Sequence, residues 1–183
     1  LIALSDTDRA ATVASSSEIA LWNTGTGKQI SVLKGHRSKA IALVFSRDGR
    51  YLASADLWSA KVWSVGEQKF LQTISVRDGL SDPPRIGRTL SFTPDDTSLL
   101  VASRGRVVQV DIATGNTIAS FDTSYWNDRD WNLQRRPYER NGWSSSDSEI
   151  VLVAVSNDGD KVAAQYGSGD VYVRCPHFLI QGL

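Results

Sequence analysis

Gly25-Thr26-Gly27-Lys28-Gln29 holds the glycines and the lysine from which a phosphate cradle is built. Such a loop also needs a glycine where this sequence has Trp22, and a metal-binding hydroxyl where it has Gln29, so the segment reads as a hairpin turn. Ser168, in Tyr166-Gly167-Ser168-Gly169, lacks the glycine two residues before it that an exposed nucleophile on a sharp strand-to-helix turn requires. His36 and His177 are the two histidines. They support neither a histidine-rich metal site nor a nucleophilic triad. Cys175 is the single cysteine and has no internal disulfide partner; it reads as a buried filler thiol, in keeping with a reducing compartment. The expectation is a chain that is not an enzyme and that needs no cofactor and no metal.

The residues richest in binding chemistry lie between Asp122 and Glu149. This segment carries Tyr125, Trp126, Trp131, Tyr138 and Trp143 among Arg129, Arg135, Arg136 and Arg140, and holds three of the chain's six tryptophans. Trp, Tyr and Arg dominate the binding energy of protein interfaces, which makes the segment a candidate partner-binding loop. The same rings are equally suited to folding back over neighbouring strands. Stacking on single-stranded nucleic acid is disfavoured, because six acidic residues share the segment with the four arginines. Trp58, in a short turn ahead of Ala60-Lys61-Val62-Trp63, is a further candidate contact.

Bulk properties bound these readings. The 183 residues are 41% apolar and 22% charged, and 20 basic residues balance 20 acidic ones. That is the composition of a globular chain with no net field to draw it to nucleic acid or to an anionic membrane. No apolar run approaches the roughly 18 residues of a membrane helix, and no signal-like segment opens the chain. A soluble, intracellular protein, cytoplasmic or nuclear, is expected. The sequence contains no methionine, position 1 included, from which it is expected to be part of a longer protein.

The elements that position these residues follow from internal repetition. Ser5, Ser46, Thr93 and Ser156 each lead a polar turn: Ser5-Asp6-Thr7-Asp8, Ser46-Arg47-Asp48-Gly49, Thr93-Pro94-Asp95-Asp96 and Ser156-Asn157-Asp158-Gly159. Counting 17 residues onward from each leader reaches Trp22, Trp63, Val110 and Val173, apolar positions in alternating strands. One more β-rich run lies between: Thr12–Ala14, Tyr51–Ala55, Leu99–Ser103 and Lys161–Tyr166. A fourth run follows at Gln29–Leu33, Phe70–Ile74, Asn116–Phe121 and Phe178–Ile180. Four antiparallel strands per unit form a propeller blade, and no window holds helical periodicity. Leaders recur at 41, 47 and 63 residues, so the later periods carry insertions. The units are placed at about 1–35, 36–76, 88–121 and 150–183, with insertions at 77–87 and 122–149. The first insertion, around Asp82-Pro83-Pro84, reads as a rigid surface connector.

Leu33-Lys34-Gly35-His36, Phe45-Ser46-Arg47-Asp48-Gly49, Tyr51-Leu52-Ala53-Ser54 and Lys61-Val62-Trp63 occur in the order of a WD40 repeat, and the sequence resembles that β-propeller family over all four units. The likeness is strongest in the second unit. Valine replaces tryptophan in the third and fourth, and no Trp-Asp dipeptide occurs: Trp22 precedes Asn23 and Trp63 precedes Ser64. The resemblance implies an all-β fold of about four blades, part of a larger propeller. It also implies a buried hydrogen-bonded network, which only the second unit can supply, as His36, Ser54, Asp56 and Trp63. The turn carrying Asp56 is one residue shorter than the family's usual pattern.

The resemblance further implies a non-catalytic scaffold for protein partners, with the rest of its own propeller as another expected partner. The alternative is an accessory or sensor propeller of a multidomain signalling NTPase or enzyme, because the first two units resemble arrays that follow nucleotide-binding domains.

Overall fold

Short runs rich in Ala, Val, Leu and Ile, broken every few residues by Asp, Gly, Ser or Thr, favour antiparallel hairpins over helices. The computed structural model of the chain describes residues 1–13, 17–74, 86–103, 106–122, 150–159, 161–167, 169 and 171–174. All regular elements among them are strands. The first sheet comprises β1 (Ile2–Ser5), β2 (Arg9–Thr12), β3 (Ile19–Asn23) and β4 (Gln29–Leu33). The second holds β5 (Ala42–Phe45), β6 (Tyr51–Ala55), β7 (Ala60–Ser64) and β8 (Lys69–Ile74), and the third β9 (Ile86–Phe92), β10 (Ser98–Ser103), β11 (Arg106–Asp111) and β12 (Thr117–Asp122). The fourth has three described strands, β13 (Ile150–Val155), β14 (Val162–Tyr166) and β15 (Val171–Arg174).

Every sheet is a meander in which sequence neighbours pair antiparallel. The first strands β1, β5, β9 and β13 adjoin one another in series, so the sheets stack face to face as blades about an axis. The four described sheets do not close into a ring.

Strand pleating gives each blade two faces, and each inner face is apolar. Ala11, Ile19 and Leu21 of the first blade pack with Phe45, Leu52 and Trp63 of the second. The other side of the second, with Ala53, Ala55 and Val62, meets Leu90, Leu99, Val101 and Val110 of the third. Leu100, Ala102 and Val107 then meet Ile150, Val153, Val162 and Ala164 of the fourth. The core is therefore three successive seams between blades, the arrangement by which four-stranded units that cannot bury both faces alone become stable.

Two boundaries differ from the sequence reading by more than a single residue. β2 spans Arg9–Thr12 rather than Thr12–Ala14. The Asp6–Asp8 turn is tight, with Ser5 paired to Arg9, and Asp8 supplies the left-handed residue itself at φ 55°. The third sheet reaches from Ile86 to Asp122, one residue or two into each flanking segment read as an insertion. The expected last strand, Phe178–Ile180, and residues 77–85 and 123–149 lie outside the described residues.

Candidate functional site

The four residues drawn from the second unit converge from two strands and two connecting segments. His36 comes from the link between β4 and β5, Ser54 from β6, Asp56 from the turn after it and Trp63 from β7. Gly35 adopts φ 145°, a backbone conformation that L side chains rarely take, and this delivers the His36 ring between the first two blades. Trp63 pairs with Leu52 across the strands, so its indole reaches diagonally toward Ser54.

The Trp63 Nε1–H donates to Ser54 Oγ at 2.7 Å, and Ser54 Oγ lies 2.6 Å from His36 Nε2. His36 Nδ1 lies 3.2 Å from Asp56 Oδ2, close enough to attract, although the ring N–H is not aligned as in a straight hydrogen bond. Both side chains of that pair are fully buried.

Burial holds the His36 pKa below its ordinary value against the opposing pull of Asp56, so the ring is neutral near pH 7. Ser54 then donates to Nε2 while Nδ1 carries the proton toward Asp56. For Asp56, burial alone would raise the pKa. The N–H groups of Trp58 and Ser59 and the His36 ring outweigh it, and the carboxyl stays below the usual range.

An Asp-His-Ser sequence of contacts is also the skeleton of an activated nucleophile. Here Ser54 is fully buried and its oxygen is already capped by the Trp63 indole, with the His36 and Phe70 rings packed against the same tryptophan. No substrate atom can approach that oxygen. Among the described residues, no group of three or more His, Cys, Asp or Glu is placed to hold a metal ion, and no helix is long and apolar enough to cross a membrane.

Residues 27–64 match the family model described as WD domain, G-beta repeat. Over those residues the chain is similar to a WD40 repeat. The matched stretch takes in β4 of the first blade and β5, β6 and β7 of the second, so it ties two blades in space. No curated protein matches the chain.

At the solvent end of the network, Asp56 organises the rim. Its Oδ1 accepts the N–H groups of Trp58 at 2.9 Å and Ser59 at 2.8 Å, and its Oδ2 accepts that of Arg37 at 3.2 Å. One carboxylate thereby fixes both the β6–β7 turn and the link that carries His36. Leu57 and Trp58 stand 46% and 43% exposed at the tip of that turn. Tyr125, Trp126, Arg129, Trp131, Arg135, Arg136, Tyr138, Arg140 and Trp143 lie outside the described residues.

Two polar features escape a reading of the sequence. Trp22 donates to Thr12 Oγ1 at 2.8 Å, a two-member counterpart of the Trp63–Ser54 contact in the first blade. Asp96, in the β9–β10 turn, accepts the backbone N–H groups of Arg47 and Asp48 at 2.8 and 2.9 Å across the seam from the second blade. Thr12 lies ten residues before Trp22 and Ser54 nine before Trp63, so spacing does not signal the first. Nothing local to Asp96 signals the second.

Proposed function

We propose that the chain is a non-catalytic WD40 scaffold that binds a protein partner through the rim of its second blade, with Trp58 as the anchor and Leu57 and Arg37 beside it. WD40 repeats act as interaction scaffolds at the level of the family. The observation that carries the reading is the double role of Asp56: sealed in the network on one side, it clamps the turn that presents Trp58 on the other.

A large ring held in solvent costs hydrophobic free energy in the unbound chain. A backbone already fixed by hydrogen bonds reduces the ordering entropy lost on binding. An apolar side chain with a neighbouring acidic group is the partner chemistry that Trp58 and the exposed Arg37 fit. The aromatic and arginine-rich segment 122–149 is proposed as a second contact of the same kind.

Peptides selected from a random display library on the intact chain test this reading. Trp58→Ala should retain the near-ultraviolet circular dichroism of the fold and weaken the selected peptides by roughly tenfold or more. Undiminished binding of every selected peptide to Trp58→Ala would overturn it.

A further inference from the structure

Lys61 brings a positive charge to the edge of a buried network. In β7 it stands opposite Ser54 of β6 on one side and Thr73 of β8 on the other, and directly opposite residues of paired strands share a face. That face also carries Trp63, two residues further on, which is sealed against the first blade. Lys61 itself is only half-buried. Its Nζ donates to Thr73 Oγ1 at 2.8 Å and lies 4.9 Å from the centre of the Phe70 ring. Neither neighbour is an anion.

Arg37 is its counterpart on the link between the first two blades. The backbone of that link is fixed: the Arg37 N–H donates to Asp56 Oδ2, the His36 ring is buried, and the Ile41 N–H donates to the Ala55 carbonyl at 2.7 Å. The Arg37 side chain is exposed. The two cations feel one another. Burial lowers the Lys61 pKa, and the Arg37 guanidinium lowers it further against the opposing pull of Asp56. Among the described residues neither cation has an ion-pair partner, whereas Lys34, three residues before Arg37, has Glu18 at 2.9 Å.

The nearest anion is already committed. Both oxygens of Asp56 are taken, by the N–H groups of Trp58, Ser59 and Arg37 and by the His36 ring. With Asp56 ionised and His36 neutral near pH 7, Arg37 and Lys61 leave the group with a net single positive charge. One carboxylate cancels that charge, whereas a phosphorylated side chain, at about −1.5 to −2 near neutrality, exceeds it. The same Asp56 carboxylate holds the backbone of both Arg37 and Trp58, so the cationic pair and the exposed ring keep a fixed relation to each other.

We propose that Arg37 and Lys61 seat one carboxylate, an Asp or Glu side chain of the protein partner that covers Trp58, and that Lys61 sets the preference for that charge. The proposal rests on the scaffold reading and adds the chemistry the partner must carry: one acid beside an apolar residue. Complementary charge at such a rim sets which partners bind, because a neutral or basic side chain would leave the two cations facing each other uncompensated.

Peptides selected on the intact chain, resynthesised with each acid in turn changed to its amide and titrated by calorimetry, test it. Amidation of one particular acid should weaken binding roughly tenfold or more. Lys61→Gln should weaken the parent peptide by as much and the amidated peptide little, since the charge it met is gone. Arg37→Gln, at an exposed side chain, gives the same test without touching the blade, and near-ultraviolet circular dichroism confirms that both variants fold. Lys28→Gln, at the opposite end of the first blade, should leave affinity unchanged. Phosphoserine in place of the acid should bind no more tightly. Selected peptides that lack an acid, affinities that Lys61→Gln and Arg37→Gln leave intact or lower equally for both peptides, or a phosphoserine peptide that binds tenfold tighter would each overturn the seat, even where Trp58→Ala still weakens binding and the rim reading stands. Peptides that need Lys61 and their acid but ignore Trp58 would keep the seat and overturn the anchor instead.

Discussion

Trp63 and Ser54 occupy adjacent strands two residues out of register, and the 2.7 Å hydrogen bond between them is the point at which a core tryptophan becomes part of a polar chain. An indole N–H buried between two blades has no water to turn to. Ser54 also satisfies His36 Nε2, so a single hydroxyl keeps two buried groups paired.

Ser54→Ala should therefore destabilise the chain by more than the loss of one hydrogen bond. Orphaning each buried partner costs about 1–3 kcal/mol, and both lose theirs. Urea unfolding followed by far-ultraviolet circular dichroism should show a lower midpoint with an unchanged slope. Ser54→Thr, which keeps the hydroxyl, should recover most of the loss. Equal damage from both substitutions would assign the effect to packing instead.

His36 makes stability depend on pH near neutrality. Burial depresses its folded-state pKa, so between that value and the unfolded value, about 6.5, the unfolded chain binds the extra proton. The contribution is fully present above about pH 6.5 and is lost as pH falls through the folded pKa, at up to about 1.4 kcal/mol per pH unit. The depressed Asp56 has the same sign but acts lower, its contribution disappearing only below about pH 4. Midpoints measured from pH 7.5 to 5 should fall in the wild type and flatten in His36→Gln. A slope that survives in His36→Gln would place the titrating group elsewhere.

Much of this architecture is legible in the residues. The Ser or Thr leaders and the apolar positions 17 residues beyond them mark strand ends, because a hairpin that turns on a left-handed residue has little freedom in length. The His36, Ser54, Asp56 and Trp63 set is legible through its family resemblance, and the structure brings the four together. What fails is whatever depends on the next blade. Asp96 looks like a solvent-facing turn acid, yet its partners are 48 and 49 residues away, and no periodicity within one unit encodes a contact between two. The onset of β2 is hidden for a related reason: Asp8 turns the chain at a positive φ that glycine would signal and aspartate does not.

Gly49 illustrates the cost of that backbone geometry. At φ 72° a side chain is strained in itself, and a Cβ would also press on the Thr7 hydroxyl. Thr7 can rotate away, so the backbone carries most of the cost. Gly49→Ala should lose about 1–2 kcal/mol, and adding Thr7→Ala should return little of it. Full recovery in the double variant would show instead that the close approach of the two turns decides the cost.

Asp96 offers the corresponding test of the seam between the second and third blades. Its carboxylate takes two backbone N–H groups that are otherwise turned toward a neighbouring blade, and hydrogen bonds to a charged acceptor are worth about 1.5–3 kcal/mol. Asp96→Gly removes those bonds while relieving the positive φ, whereas Asp96→Asn keeps a tolerated left-handed residue but offers one carbonyl in place of two anionic oxygens. Both should lower the unfolding midpoint, and Asp96→Ala should lower it further than Asp96→Gly, because Ala loses the bonds and keeps the strain. Amide hydrogen exchange gives the local readout. In Asp96→Gly the amides of Arg47 and Asp48 should exchange faster than those of the β6–β7 ladder, which share the blade but not the contact. Uniform acceleration across the second blade would mean that the turn serves the fold as a whole and not this seam.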